Sequence, residues 1–201
     1  MIRIGLTGGV ASGKSTILKY LQALNIHCID ADKVGHMVYE KDTPSYHKLL
    51  SIFGNNILAE DQTIDRKKLG PIVFSDPNEM KKLTDVTWPA MKSLILNEFE
   101  NHKQDKIVVL EAAVLIEAGF TDVVDKVWVT QVPREVAISR LSERNNYNAE
   151  FAEKILSRQL TNEQRATYAD VIFDTNGDYQ VTKDKVINEV NKLLNQSSDK
   201  L

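Results

Sequence analysis

One cysteine in 201 residues, Cys28, is too few for a disulfide framework and fits a reducing compartment. It also leaves no pair of thiols at a zinc-binding spacing. Aromatic residues make up only 7% of the chain, and no apolar run is long enough to span a bilayer. No membrane partner is expected. Neither sign of charge dominates. Lys and Arg number 25 against 28 Asp and Glu, and the net charge of −3 gives no overall pull toward nucleic acid or acidic membrane. An anion bound by this chain must therefore be held by local groups. The start, Met1-Ile2-Arg3-Ile4, reads directly as a strand and leaves no room for a signal peptide, so the expected location is the cytoplasm. No internal repeat and no low-complexity segment interrupts the chain.

What is present suffices for a real core. Hydrophobic residues are 42% and charged residues 26%, ordinary for a globular chain, and the length suits one α/β domain with an insertion. Ile2, Ile4 and Leu6 alternate as a first strand. After a glycine-rich turn, Ile17, Leu18, Leu21 and Leu24 fall at helical spacing. His27 to Ile29 reads as a second strand, closing a strand–helix–strand unit within about 30 residues, the size of a parallel crossover. From about Pro44 to Gln104 the strand signal is weak. Met80, Leu83 and Val86 make one helical stripe, and Met91, Leu94, Ile95 and Phe99 another. Strands return at Ile107–Leu110, Val127–Val129 and Val171–Phe173, as continuous apolar runs suited to burial on both faces. Helices are expected after Pro133, from roughly Ala149 to Leu160, and at Val186–Leu194, with a frayed tail from Ser197. The pattern predicts an α/β fold: a five-stranded parallel sheet flanked by helices, with a helical insertion.

Gly8-Gly9-Val10-Ala11-Ser12-Gly13-Lys14-Ser15 fits G-x-x-x-x-G-K-[ST], between a predicted strand and a predicted helix. Glycines let the backbone turn successive N–H groups inward around phosphate oxygens. The helix after the loop adds its positive end. Lys14 supplies a point charge for the β- and γ-phosphates, the Ser15 hydroxyl can ligate Mg²⁺, and Thr16 is placed to support the α-phosphate. This is the signature of the P-loop NTPase fold, and it points to an ATP-dependent small-molecule kinase. A regulatory GTPase is excluded, because Asn191-Lys192-Leu193-Leu194 lacks the aspartate of a guanine reader.

Asp30 and Asp32 follow the second strand. On an extended chain both point to one side. At a strand's carboxyl end, one of them can take the proton from an attacking hydroxyl. The competing reading is that Asp32 caps a helix starting at Lys33. Arg140 and Arg144 lie one helical turn apart, with Arg158 and Arg165 beyond. They read either as a lid that brings positive charge over ATP or as a solvated face paired with Glu143 and Glu153. Glu111 ends the third strand, where such proteins often place a Mg²⁺-directed acid; a strand-end cap is the alternative.

The stretch Gly5-Leu6-Thr7-Gly8-Gly9-Val10-Ala11-Ser12-Gly13-Lys14-Ser15-Thr16, followed by Ile29-Asp30-Ala31-Asp32, resembles the dephospho-CoA kinases. The likeness continues through Arg66-Lys67-Lys68-Leu69, Arg140 with Arg144, Gln159, and Ala169-Asp170-Val171-Ile172, and so covers nearly the whole chain. Bacterial members usually carry a third glycine where Ala11 stands and His-Pro in place of Trp88-Pro89. The segments around Leu83-Thr84-Asp85 and Glu111 to Phe120 look more like the kinase half of the animal bifunctional CoA synthase.

The resemblance implies transfer of the ATP γ-phosphoryl group to the ribose 3′-hydroxyl of dephospho-CoA, with Mg²⁺. It implies Asp32 as general base and Lys14 and Arg140 as phosphate-stabilising residues. Asn176 and Gly177 would lie near the adenine, joining the loop residues as the ATP site. The acceptor would be met by Asp32, Arg66, Trp88 and Pro89, and the metal by Ser15. The helical insertion, about 44–104, would be the CoA-binding part, and a lid would span about 138–165. A monomer or a weak homo-oligomer is expected. Two other readings remain: another small-molecule P-loop kinase of nucleoside or shikimate type, and a nucleotide-binding module without an acceptor.

Overall fold

A computed structural model describes residues 1–198. Five strands alternate with helices: β1 Ile2–Gly8, β2 His27–Asp30, β3 Ile107–Glu111, β4 Lys126–Gln131 and β5 Val171–Asp174. They form one parallel sheet in the order β2-β3-β1-β4-β5. Ile4 lies opposite Val109 on β3, Leu6 opposite Trp128 on β4, and Trp128 opposite Val171 on β5. Each strand is a little longer than its apolar run, because pairing draws in polar end residues such as Asp30, Glu111 and Gln131. Val108, Val109 and Leu110 are wholly buried, as a strand covered on both faces requires.

The chain divides into two compact units, Met1–Ile29 with Asn101–Leu201, and Asp30–Glu100. In the first, helices α1 Lys14–Ala23 and α9 Tyr179–Ser198 carry apolar stripes to the sheet. Ile17 and Leu21 of α1 join Val186, Val190 and Leu193 of α9 around Ile4, Leu6, Trp128 and Phe173. The Trp128 and Phe173 rings meet at 5.1 Å, within the range where aromatic pairs attract. Truncating Leu21 to alanine in such a core typically costs about 2–5 kcal/mol. The strand order sets the site. β1 lies at the centre, paired with β3 on one side and β4 on the other. Its own crossover runs outward to β2, while the chain from β3 crosses to β4, so a crevice opens at the carboxyl end of β1. The chain there is the glycine-rich loop.

The second unit is helical, as the weak strand signal suggests. It holds α2 Ala31–Met37, α3 Pro44–Phe53, α4 Arg66–Ser75 and most of α5 Pro77–Asn101, and its only pairing among described residues outside helices is the bridge Leu58 to Ile64. Thr43 caps α3, whose first residue is Pro44, and Asp65 caps α4. Tyr46, Leu49, Ile57, Leu69, Val73 and Val86 form its core. The two stripes flanking Trp88-Pro89 belong to one helix, α5, which contains Pro89. A proline at that position removes one i→i−4 hydrogen bond, and the helix continues through it.

After β4, α6 covers Arg134–Asn145, and α7 covers Ala149–Leu156. The helix expected to reach Leu160 stops four residues earlier, where its apolar stripe ends. A separate helix, α8 Asn162–Ala166, starts at a capping box between Thr161 and Gln164. Among the described residues no helix is long and apolar enough to cross a membrane. The tail expected to fray lies partly in α9 and, from Asp199 on, outside the described residues.

Two carboxylates tie the strand starts together. Arg3 donates its backbone N–H and its guanidinium to Asp125, and Lys126 and the Val127 N–H donate to Asp170. Partial burial alone would push both acids up, but these bonds together hold them below the ordinary aspartate range. A depressed folded-state pKa stabilises the fold above the unfolded value, and the contribution disappears as pH falls through the folded value. Melting temperature should therefore fall on acidification from neutral pH to about pH 3. Asp125→Asn combined with Asp170→Asn should lower it at neutral pH and flatten that acid slope. An unchanged slope in the double variant would remove these two groups from the acid transition.

Candidate active site

The loop between β1 and α1 owes its shape to two glycines. Gly13 has φ +90, and a Cβ there would sit 2.6 Å from the Thr175 Oγ1. At Gly8, a Cβ would fall 2.5 Å from the Thr130 carbonyl oxygen. Any side chain at these positions would push the loop off its supports. Gly13 is also the N-cap of α1 and has no side chain to cap it, which leaves first-turn N–H groups directed at the site. Ala11 has φ +59. That left-handed conformation costs an L-residue roughly 1–2 kcal/mol, a cost that a glycine would not carry.

Long-range bonds brace the loop. Ser12 is buried, and its hydroxyl meets the Thr130 hydroxyl at 2.6 Å. The Thr175 hydroxyl donates to the Ser12 carbonyl at 2.9 Å. The Gln159 Oε1 accepts the Val10 N–H at 2.9 Å. Lys14 lies back along the loop, its Nζ donating to the carbonyls of Gly8 at 2.9 Å and Gly9 at 3.4 Å. The ammonium thus sits at the concave side of the backbone, where β- and γ-phosphate oxygens must be neutralised. Ser15 is exposed in the first turn of α1 and offers an oxygen, the donor type a hard divalent cation takes; Glu111, at the carboxyl end of β3, offers a carboxylate. Burial, reinforced by Glu111, pushes the Cys28 thiol up to about 11, so it is no nucleophile near neutral pH.

Arg140 reaches the loop from α6. Its Nη2 donates to the Thr175 carbonyl at 2.7 Å, and its Nη1 to the Thr175 hydroxyl at 3.1 Å and the Ala11 carbonyl at 3.4 Å. This guanidinium joins the loop to the segment after β5, whose next residues are the exposed Asn176 and Gly177. It is not part of a solvated face. Arg144, one turn on, is exposed and donates only to the neighbouring Asn145 side chain among its described contacts. Glu153 pairs with Arg134, not with Arg140 or Arg144.

The acidic pair differs from its extended reading. Asp30 is the last residue of β2, and it, not Asp32, caps the helix. Its Oδ1 accepts the N–H groups of Asp32 at 2.9 Å and Lys33 at 3.2 Å. Helix α2 begins at Ala31, so Asp32 stands exposed in its first turn. The two carboxylates do not share a face, because the backbone turns helical between them. Asp32 is left without a capping duty. His36 follows it at i+4, on the same face of α2. Arg66, at the start of α4, contacts the His36 Nε2 through its Nη1 and lies 6.0 Å from the Tyr39 ring. Within the helical unit, Asp32 therefore shares a helix face with a residue that meets a cation. Trp88 is half-buried and Pro89 exposed on α5.

The structure brings together Gly8 to Thr16, Arg140 and, through Thr175, the Asn176–Gly177 segment. Asp32, Arg66, Trp88 and Pro89 belong to the helical unit. Thr130 and Thr175, which brace the loop, have no signal in the sequence pattern. Neither does the contact of Gln159 with Val10. The Thr161-x-x-Gln164 capping box was legible, and would have placed Arg165 at the end of a short helix.

Parallel sheet, strand-to-helix loop and a lysine folded against that loop define a P-loop phosphate-binding protein of the kinase type. The family model for dephospho-CoA kinase matches residues 2–180, and the chain belongs to that family. It is 37% identical to the dephospho-CoA kinase of Carboxydothermus hydrogenoformans over 191 residues, covering 94% of this chain and 93% of that protein. It is 39% identical to that of Fusobacterium nucleatum, covering 88% of this chain and 91% of the other. The solved dephospho-CoA kinase from Campylobacter jejuni superposes with a TM-score of 0.72 at 26% identity, over 95% of this chain and 96% of that one.

Proposed function

We propose that this chain transfers the γ-phosphoryl group of ATP to the ribose 3′-hydroxyl of dephospho-CoA. The observation that carries the reading is the braced phosphate loop, with Lys14 folded against Gly8 and Gly9, in a chain that matches dephospho-CoA kinases nearly end to end. The loop from Gly8 to Thr16 cradles the phosphates with the N–H groups it does not spend on its own braces, and Lys14 and Arg140 neutralise them. For phosphate contact Arg140 keeps its Thr175 anchor and uses the N–H groups it does not spend there. Asn176 and Gly177 flank the adenine. In the helical unit Arg66, Trp88 and Pro89 hold the acceptor, and Asp32 takes the proton of its 3′-hydroxyl. Segment 138–165 closes as a lid and excludes water, which would otherwise compete as acceptor. Mg²⁺ would be held by the Ser15 hydroxyl and, when bound, would supply charge neutralisation to the phosphates.

The test is ADP release coupled to a reporter, with ATP, Mg²⁺ and a panel of dephospho-CoA, shikimate and nucleosides. Turnover on dephospho-CoA alone is expected. Preference for another acceptor would make the chain a different small-molecule kinase, and ATP binding without turnover on any acceptor would make it a binding module. Arg140→Ala should lower kcat by about tenfold or more, on the scale of a lost phosphate-stabilising donor, and Arg144→Ala should leave it nearly unchanged. Steady-state kinetics of both variants, with melting curves, decide this; equal small effects would make Arg140 purely a structural tie.

A further inference from the structure

Among the described residues, Arg165 is a buried guanidinium whose surroundings do not satisfy it. Only 2% of the residue is exposed. Its Nη1 donates to the Leu160 carbonyl, while Nε and Nη2 have no hydrogen-bond partner among the described residues. No carboxylate lies within ion-pair distance of it among those residues. Burial pulls it below the usual guanidinium range, and the field of the exposed Glu117 only partly offsets this. A buried cation with open donors is unfavourable unless an anion meets it. Such a group in a folded protein calls for an explanation.

Its position supplies one. Arg165 lines a cavity of about 380 Å³ together with Gly9, Val10, Ser12 and Gln159. A Cβ placed on Gly9 would lie 3.4 Å from the Arg165 Nη1 and 3.6 Å from the Gln159 Oε1. The Lys14 ammonium bonds the carbonyls of Gly8 and the same Gly9. Two cations therefore approach one glycine of the phosphate loop, Lys14 from α1 and Arg165 from α8. The cation that Lys14 represents belongs beside the β- and γ-phosphates. The turn between α7 and α8 that shortens the expected helix delivers both Gln159 and Arg165 to the loop.

The geometry points to Arg165 as a further catalytic residue that donates to the equatorial oxygens of the γ-phosphoryl group during transfer. This role rests on the kinase reading. In the step, a bond forms between the ribose 3′-oxygen and the γ-phosphorus. The bond from that phosphorus to the β–γ bridging oxygen breaks, and its electron pair leaves on ADP. The hydroxyl proton passes to Asp32. Arg165 neither gives nor takes a proton. Its planar fork matches two oxygens of the transferring group, whose charge is greatest in the transition state.

Arg165→Met and Arg165→Lys test this against a structural role. Each is measured for kcat, for KM of both substrates, for melting, and for affinity toward ADP with Mg²⁺, alone and with aluminium fluoride, a mimic of the group in flight. Arg165→Met should lower kcat about 10²-fold, the scale of one lost transition-state donor, with KM for ATP changed less than about threefold. ADP affinity should stay, and the extra affinity that aluminium fluoride confers on the wild type should disappear. If the methionine variant does not fold, Arg165→Lys decides. It keeps a charge but not the fork, and should melt near the wild type with kcat down at least about tenfold. Wild-type kcat in a folded variant overturns the proposal. So does an equal loss of ADP affinity with and without aluminium fluoride, the mark of a structural strut. Turnover by the wild type with silent Arg165 variants defeats this proposal alone; no turnover of dephospho-CoA by the wild type defeats the kinase reading and this role with it.

Discussion

Lys14→Ala is expected to reduce turnover by about 10²-fold or more while leaving the fold intact. In the folded chain the Lys14 Nζ donates to backbone carbonyls of its own loop, those of Gly8 and Gly9. Carbonyls keep other ways to be satisfied, and the loop is held independently by Ser12 with Thr130, Thr175 with Ser12, and Gln159 with Val10. Stability should therefore change little. What is lost is a positive charge at the concave side of the loop, where the γ-phosphoryl charge shifts during transfer. Coupled ADP release with saturating substrates, beside a melting curve, is the measurement. Near-normal turnover in a folded variant would take Lys14 out of the chemistry.

Asp32→Asn should spare ATP affinity and cut kcat by about 10²- to 10⁴-fold, the usual worth of a general base. The loose transition state of phosphoryl transfer places the loss toward the lower end, since positioning of the hydroxyl then matters more than its deprotonation. The structure sharpens this experiment. Asp30 carries the cap of α2, accepting from the backbone N–H groups of Asp32 and Lys33. Asp32 can therefore lose its charge without uncapping the helix. Only its favourable place near the positive helix end is given up, a contribution of about 0.3–1 kcal/mol. Asp30→Asn should be mild in both kcat and melting, because asparagine caps about as well as aspartate, whereas Asp30→Ala should lower stability by about 0.5–2 kcal/mol. If Asp32→Asn keeps kcat within about threefold of the wild type, Asp32 is not the base. A large kcat loss in Asp30→Asn instead would assign the proton to the other member of the pair.

Features that depend on neighbours in the chain are legible in the sequence. Glycines and a lysine at fixed offsets between a strand and a helix specify the phosphate loop. Apolar runs such as Ile107–Leu110 specify buried strands, and 3.6-residue stripes specify α1, α5, α6 and α9. Features that need distant segments to meet were set by packing instead. The strand order β2-β3-β1-β4-β5 is one of them, since every strand reads alike as an apolar run and pairing depends on how the crossovers pack. The cap at Asp30 is another: strand pairing and the helix start compete for the same three residues, and the spacing of two aspartates cannot say where the backbone turns. The partners of the loop come from 118 residues away at Thr130, 149 at Gln159 and 163 at Thr175. No periodicity spans such separations. The side chains that crowd the loop, with Arg165 among them, are chosen by the packing of α6, α7 and α8 against the carboxyl end of the sheet, and a burial environment exists only once that packing is made.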